Sequence, residues 1–393
     1  MRKKRLSRRR VAVVTGTRAE FGILEEILRE LAGRPSLDPK LIVTGMHLLP
    51  KFGHTIDHIR RAGWGVDATV RMQTGRDDAA DEAMAVSRGI AGIARALDRL
   101  DCEIVLVLGD RIEAFAGACA AAISRRVLAH SHGGDRAPGT IDDALRNAIT
   151  RLAHVHLVAS KDAEDRIRRW GEQPWRIRRV GAPGLDGIRR FREADRAGRR
   201  ASDLRVRSVL GPLADRPYAV VAQHPLGRSA GRESVVMRNI LSAVERCGLA
   251  GVIIYPNSDP GHEGIIREIR RIERHDGWRS FRSLMREDYL RIVSRAAVLV
   301  GSSSSGIIES ASLGVNTVNI GRRQDGRLRC GPGVIDCDES LSAVTGAIRR
   351  AMKRPRPRPR QSVYGDGRAS ERIADVLERL IITPQLLLKE LTC

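Results

Sequence analysis

The chain is poor in aromatic side chains, which make up 3% of its 393 residues against 42% hydrophobic residues overall. Its cores must therefore be built from Val, Ile, Leu and Ala. A single-strand nucleic-acid binder, which stacks bases on aromatic rings, is disfavoured by the same shortage. Lysine is scarce too. Seven of the 69 basic residues are Lys, so the net charge of +22 is an arginine charge. Those arginines run the length of the chain, interleaved with acids. A base bias in the genome produces that pattern without selection for a polyanion, and a solvated basic surface is the reading preferred to a nucleic-acid site. No apolar run approaches the length of a membrane span. The six cysteines form no CxxC pair and read as reduced thiols. The N-terminal MRKKRLSRRR leads straight into a strand without a signal-peptide apolar region, so a cytoplasmic protein is expected.

What is present is a series of short apolar runs, each followed by a Gly-rich turn and a helical pattern. The most informative is residues 298–324, VLVGSSSSGIIESASLGVNTVNIGRRQ. A strand ends in Gly301, four serines and Gly306 follow, and Ile307-Ile308-Glu309 opens a helix. Gly and Ser let the backbone approach a ligand, and the N–H groups of a helix start suit a phosphate. Ser303, Ser304 and Gly306 are the candidate phosphate contacts, and Glu309 is placed to accept from a ribose hydroxyl. The next strand ends in Gly321-Arg322-Arg323-Gln324, which brings Arg323 to the same sheet edge. An ordinary Ser-rich, N-capped loop is the plain alternative.

In chain order, Val11 to Thr15 is a buried strand ending in Gly16-Thr17-Arg18. This turn is a second candidate phosphate cradle, with Arg18 as its cation, but not a dinucleotide GxGxxG. Leu41 to Thr44 ends near His47. Ile104 to Leu108 ends in Gly109-Asp110-Arg111, and in open α/β sheets ligands bind outside such carboxyl ends. Val127 to His130 runs into Ser131-His132-Gly133-Gly134-Asp135. Asp142 and Asp143 then open a helix, where N-terminal capping is the plain reading. The pairs His130/His132 and His154/His156 have ligand-like spacing, but no third ligand completes a site, so no metal is expected. Val155 to Ala159 is a fifth strand.

A second strand–helix set begins at Tyr218. Its strands end in Gln223-His224-Pro225 and in Pro256-Asn257, and Phe281 to Leu284 reads as a short loop. Lys353 to Arg360, KRPRPRPR, reads as a stiff extended segment. The closing helix is apolar at Ile373, Val376, Leu377 and Leu380. Two strand–helix sets of about equal length imply an α/β protein of two Rossmann-like domains facing a cleft.

At this level the chain resembles a known family, the hydrolysing UDP-N-acetylglucosamine 2-epimerases of sialic acid and legionaminic acid biosynthesis. The resemblance runs from Val11 to Leu380. It rests on nine blocks in order: GTRAEFG (16–22), TGMHL (44–48), LGDRIEA (108–114), HGGDRAPGTIDDALRNAIT (132–150), QHP (223–225), YPNSDPG (255–261), GSSSSGIIE (301–309), NIGRRQDGR (319–327) and YGDGRASERI (364–373). It implies a glycosyltransferase-B-type fold, with a first domain at residues 1–185, a UDP-binding domain at 186–366, and a closing helix at 367–393 that returns to the first domain.

The implied reaction is UDP-GlcNAc plus water to ManNAc plus UDP, through a glycal, with no cofactor. The resemblance makes Asp110 and Asp142 the catalytic carboxylates and sets His224 beside the diphosphate and sugar. Arg18, Ser303, Ser304, Gly306 and Arg323 fall to the leaving diphosphate and Glu309 to the ribose. His47, Arg111, Arg146 and Asn257 fall in blocks near the substrate.

Departures from the family pattern touch the sugar side. His132 stands where some members have a glutamate assigned acid/base work, with Asp135 three residues on, and histidine can make the same proton transfer. Asn147 follows Arg146 where the family has His, and Leu226-Gly227 replaces Val-Thr. A UDP-2,4-diacetamido-2,4,6-trideoxyhexose is therefore an alternative substrate. A UDP-sugar glycosyltransferase of the same fold is a competing function, and a basic nucleic-acid binder is a third. The expected partners are a UDP-sugar and further copies of the chain, as dimer or tetramer, with no nucleic acid and no membrane.

Overall fold

A computed structural model describes residues 8–393 except 75–78, 137–140, 258, 359–361, 391 and 393. The end of the proline–arginine segment, and parts of the 132–150 and 255–261 blocks, lie outside the described residues. The chain divides into two compact units. The first comprises Met1–Asp135, Ile141–Gly187 and Gly365–Cys393, and the second is chiefly Ile188–Tyr364.

The first unit holds a seven-stranded, fully parallel sheet. Its strands are β1 (Arg9–Thr15), β2 (Leu37–Thr44), β3 (Ala68–Val70), β4 (Ile104–Leu108), β5 (Val127–Ser131), β6 (Val155–Val158) and β7 (Ile177–Arg179), in the order β3-β2-β1-β4-β5-β6-β7. The central strands are continuous Val/Ile/Leu/Ala runs because both faces are covered. Four of its helices are α1 (Arg18–Ala32), α2 (Ala79–Leu100), α3 (Ile112–Ile123) and α4 (Ile141–Leu152). β1 pairs with β2 on one side and β4 on the other. The direction of winding reverses between β1 and β4, and ligands of such sheets bind at that switch point. Gly16 and Gly109–Asp110 lie at the carboxyl ends of those two strands.

The second unit repeats the scheme with six parallel strands. They are β8 (Tyr218–Ala222), β9 (Ala250–Ile254), β10 (Trp278–Phe281), β11 (Val298–Gly301), β12 (Thr317–Ile320) and β13 (Val334–Cys337), in the order β10-β9-β8-β11-β12-β13, with helix α5 (Ala230–Arg246) between β8 and β9. Its switch point lies between β8 and β11, so His224 and the serine turn follow its two strands. Two expectations need correction here. Phe281 closes a strand, β10, rather than opening a loop. The helix after the serines is not continuous: α6 (Arg286–Arg295) precedes the turn, and after it come only α7 (Ser305–Ile308) and α8 (Ser310–Leu313), broken at Glu309. One turn of helix has little macrodipole, so that argument for the serine turn weakens.

The closing helix, α9 (Ala369–Arg379), belongs to the first unit. Its apolar face, Ile373, Ala374 and Leu377, lies in one buried cluster with Leu24, Ile27, Leu28 and Leu31 of α1. Asp186 caps its start by accepting from the N–H groups of Ala369 and Ser370. Arg9 donates to the carbonyls of Leu377 and Glu378 near its other end. No helix among the described residues is long and apolar enough to cross a membrane.

Candidate active site

In the first unit the structure gathers a compact group of candidate site residues around one buried arginine. Gly109 turns with φ 80° after β4 and presents Asp110. Arg146, on α4 and 2% exposed, donates Nη2 to Asp110 Oδ2 and Nη1 to the carbonyl of His132 at 3.0 Å. The same Nη1 is 4.0 Å from Asp135 Oδ2. Asp135 Oδ2 in turn lies 2.8 Å from Nδ1 of His132. His132 itself sits at φ 64°, a backbone conformation rare for a residue with a side chain. Arg146 was expected to face the substrate. Its burial makes it the organiser of Asp110, His132 and Asp135 instead. Asp142 and Asp143 occupy the first turn of α4, half-buried. Asp142 is four residues before Arg146, on the same helix face.

The Gly16–Arg18 turn departs from expectation. Thr17 and Glu20 form a capping box at the start of α1. Glu20 Oε2 accepts from Gly16 N at 2.7 Å and from Thr17 N at 3.4 Å. The donors that a phosphate would use are thus held by the protein's own carboxyl group. The cation of this turn, Arg18, is half-buried. Burial raises the Glu20 pKa to about 8, against the opposing hydrogen bond from Gly16, and Glu113 adds to the rise. Glu113 is itself buried beneath the turn, where a Cβ on Gly16 would collide with it at 2.3 Å. Arg111 turns toward it, with Nε 3.5 Å from Glu113 Oε2.

His47 is turned inward. It is fully buried, with Nδ1 2.8 Å from Thr55 Oγ1 and Nε2 3.2 Å from Thr15 Oγ1. Burial depresses its pKa to about 3. Both ring nitrogens are engaged within the unit, so it braces β1 rather than facing a ligand. His154 and His156 are likewise engaged in internal contacts. His154 Nδ1 accepts from Leu128 N at 2.9 Å, and His156 Nε2 is 3.0 Å from Glu172 Oε2.

In the second unit Gly301 brings β11 against β8, since a Cβ there would lie 2.3 Å from the Ala222 carbonyl. Ser302, buried, then ties the two strand ends together. Its Oγ accepts from His224 N at 3.1 Å. Gln324 Nε2 and Arg323 Nη1 both donate to the Ser302 carbonyl, at 2.8 and 3.3 Å. Arg323 is thereby held beside the serine turn. Ser303 and Ser304 are half-buried, and Ser303 Oγ accepts from Ser305 N at 3.4 Å. Gly306 must be glycine because a Cβ would lie 2.7 Å from Thr317.

Asn257 links the His224 turn to Asp259. Its backbone N–H donates to Nδ1 of His224 at 3.2 Å, while its side-chain amide donates to Asp259 at 2.7 Å. Neutral His224 therefore carries its proton on Nε2 and is a hydrogen-bond donor there. Glu309 lies at the helix break, 4% exposed. Arg286 holds it bidentately at 2.6 and 3.1 Å, and Ser305 Oγ donates to it at 2.7 Å.

Sequence reasoning missed Glu20, Glu113, Gln324 and Arg286. Glu20 had a signal, the T-x-x-E spacing of a capping box. The other three act through contacts distant in sequence and carried none.

The profile of the UDP-N-acetylglucosamine 2-epimerase family matches residues 29–378, most of the chain. The chain belongs to the UDP-N-acetylglucosamine 2-epimerase family. Every site residue named above except those of the Gly16–Glu20 turn falls inside the matched span. Among similar epimerases, the UDP-N,N'-diacetylbacillosamine 2-epimerase (hydrolyzing) of Legionella pneumophila is 32% identical over 381 residues, covering 97% of this chain and 98% of that one. A UDP-N-acetylglucosamine 2-epimerase of Neisseria meningitidis serogroup B is 32% identical, over 94% of this chain and 95% of its own. Among solved epimerase structures, UDP-GlcNAc 2-epimerase from Neisseria meningitidis bound to UDP-GlcNAc superposes with a TM-score of 0.78 at 15% identity, covering 94% of this chain and 99% of that one. The Methanocaldococcus jannaschii enzyme in complex with UDP-GlcNAc and UDP gives 0.77 at 16% identity, with 94% and 99% covered. These two likenesses bear on the fold: the epimerase-type pair of parallel α/β sheets.

Proposed function

We propose that this chain is a hydrolysing 2-epimerase of a UDP-2-acetamido sugar, converting UDP-GlcNAc and water to ManNAc and UDP. The observation that carries the reading is the Arg146-centred group, which sets Asp110 beside His132 and Asp135 at the carboxyl edge of the first sheet. Chemistry at sugar C2 needs such proton carriers, because that hydrogen is not acidic until positive charge builds at C1.

In the proposed cycle the C1–O bond breaks and UDP leaves with the electron pair. A proton moves from C2 to an acid/base residue, and the C1=C2 glycal forms. Water then adds its oxygen to C1, and a proton returns to C2 on the opposite face. Asp110 and Asp142 are the proposed proton carriers for elimination and hydration. Ser303, Ser304, Arg323, Arg18 and the Nε2–H of His224 are proposed to stabilise the leaving diphosphate. Glu309 is proposed to receive the ribose. The described cysteines, Cys102, Cys119, Cys247, Cys330 and Cys337, are free thiols, in keeping with a cytoplasmic site of action. Assembly as a dimer or tetramer is part of the proposal and is checked by light scattering.

A second substrate is favoured by one comparison: the Legionella relative acts, by its name, on UDP-N,N'-diacetylbacillosamine. The test is incubation in heavy water with UDP-GlcNAc and, in parallel, with the UDP-2,4-diacetamido sugar. UDP release without an acceptor, and one deuterium at C2 of the freed 2-epimer, is the expected result. Turnover of only the diacetamido substrate selects the second reading. Turnover only with an added acceptor would make the chain a glycosyltransferase. Inertness toward both sugars, with salt-sensitive polynucleotide binding, would leave only the basic-surface reading.

A further inference from the structure

His130 belongs to none of the roles above, yet it touches all three segments that carry the proposed proton chemistry. It lies on β5 and is fully buried. Its Nε2 is 2.7 Å from the carbonyl oxygen of Gly109, the residue before Asp110. Its Nδ1 is 3.2 Å from Oγ1 of Thr150, which is fully buried on α4, one turn beyond Arg146. A Cβ built on Gly133 would lie 2.9 Å from His130 Nδ1 and 3.1 Å from Thr150 Oγ1, so the turn joining His132 to Asp135 rests directly on this contact.

The partners fix the ring's chemistry. A carbonyl only accepts, so Nε2 must bear the hydrogen. Burial depresses the pKa of His130 to about 3, against the hydrogen bond to Gly109 that opposes it, so the ring is neutral and Nδ1 is bare. Nδ1 can then only accept, and the Thr150 hydroxyl must donate. The direction runs from Thr150 through the imidazole to Gly109.

We propose that His130 and Thr150 form a positioning bridge that holds the Asp110 turn, the His132–Asp135 turn and α4 in register for catalysis. The bridge is separate from the Arg146–Asp110 contact and touches a different part of α4. It rests on the epimerase reading for its purpose but not for its existence.

Two measurements test it. In protein carrying 15N-histidine, His130, assigned by its loss in His130→Gln, should show the Nε2–H tautomer with an exchange-protected proton. The Nδ1 resonance should shift in Thr150→Val. A ring protonated on Nδ1, or on both nitrogens at neutral pH, overturns the bridge whatever the enzyme does. For function, Thr150→Val removes the donor at nearly constant volume and should lower kcat about tenfold, as small misplacements of reacting groups do. UDP affinity should stay within about twofold, and Thr150→Ser, which restores a hydroxyl, should recover most of kcat. A purely structural role predicts instead a lower melting temperature with kcat unchanged, and that result would overturn the positioning claim. A wild type inert toward both sugar nucleotides would remove the epimerase reading, and the positioning purpose with it, while the tautomer measurement still decides the bridge.

Discussion

Arg146 and Asp110 are joined through a buried guanidinium whose other arm reaches the carbonyl of His132. One cation thus fixes an acid from the β4 turn and the backbone of the β5 turn. Lys cannot replace it, because an ammonium lacks the planar fork that serves two acceptors at fixed angles. Arg146→Lys is expected to lower kcat about a hundredfold while UDP still binds. Steady-state kinetics beside calorimetric UDP titration separates the two effects. An unchanged kcat would show that Arg146 does not organise the site.

The carboxylates themselves give the sharpest test of the proposed roles. Asp110→Asn and Asp142→Asn should each abolish turnover, because the amide keeps the shape and loses the proton-carrying group. UDP affinity should be kept in both. Solvent deuterium entering C2 at normal rates in either variant removes that residue from the mechanism.

For the serine turn, the break at Glu309 changes what is expected. A one-turn helix offers little dipole, so the proposed grip on a diphosphate rests on hydroxyls and local N–H groups. The double substitution Ser303→Ala with Ser304→Ala should therefore raise the Kd for UDP by about tenfold, the equivalent of about 1.4 kcal/mol. Unchanged affinity would place the phosphate elsewhere.

Stability should vary with pH on both sides of about 6.5. Burial holds the folded pKa of His47 and His130 at about 3, below the ordinary 6.5. Their contribution is present above 6.5 and is lost as pH falls toward 3. Glu20 has the opposite sign: its folded pKa of about 8 lies above the ordinary 4.5. Its contribution is present below 4.5 and is lost as pH rises through 8, by an amount on the order of a few kcal/mol. Glu20→Gln should flatten the fall of melting temperature as pH rises toward 8, a limb on which these histidines act with the opposite sign. An alkaline limb identical to wild type would show that Glu20 does not hold its proton.

Leu377 of α9 is fully buried in the cluster it shares with α1. Leu377→Ala should cost about 2–5 kcal/mol, the range for a buried leucine that leaves a cavity. Chemical denaturation followed by a probe in each unit should show the loss in the first. A loss confined to the second unit would contradict the packing described.

The central strands were legible in the sequence because both of their faces are buried, which leaves continuous apolar runs. The four strands without such a signal, β3, β7, β10 and β13, are the edges of the two sheets. There one side of the ladder is open, and residues such as Arg178, Arg179 and Arg279 interrupt the pattern. The site divides in a similar way. Asp110, Asp142, His224 and the serines follow strands or open helices, and turn chemistry marks them. What Arg146, Asn257 and His47 do depended on partners far along the chain. Arg146 and His47 are turned inward, and Asn257 reaches His224 through its backbone and Asp259 through its side chain. The Gly16 turn looked like an anion cradle from its glycine and threonine, and Glu20, four residues on, had already taken that place.

The return of α9 to the first unit sets an order of birth for the two units. A ribosome delivers the whole of Ile188–Tyr364 before it delivers Ala369–Arg379. The later-encoded unit can thus close while the earlier one still shows the bare apolar stripe of α1 to the cell. Nascent chains are most exposed to aggregation in that interval. Slow codons or a stall between residues 364 and 379 would lengthen it, so translation speed over this short stretch should govern how much of the protein is recovered soluble.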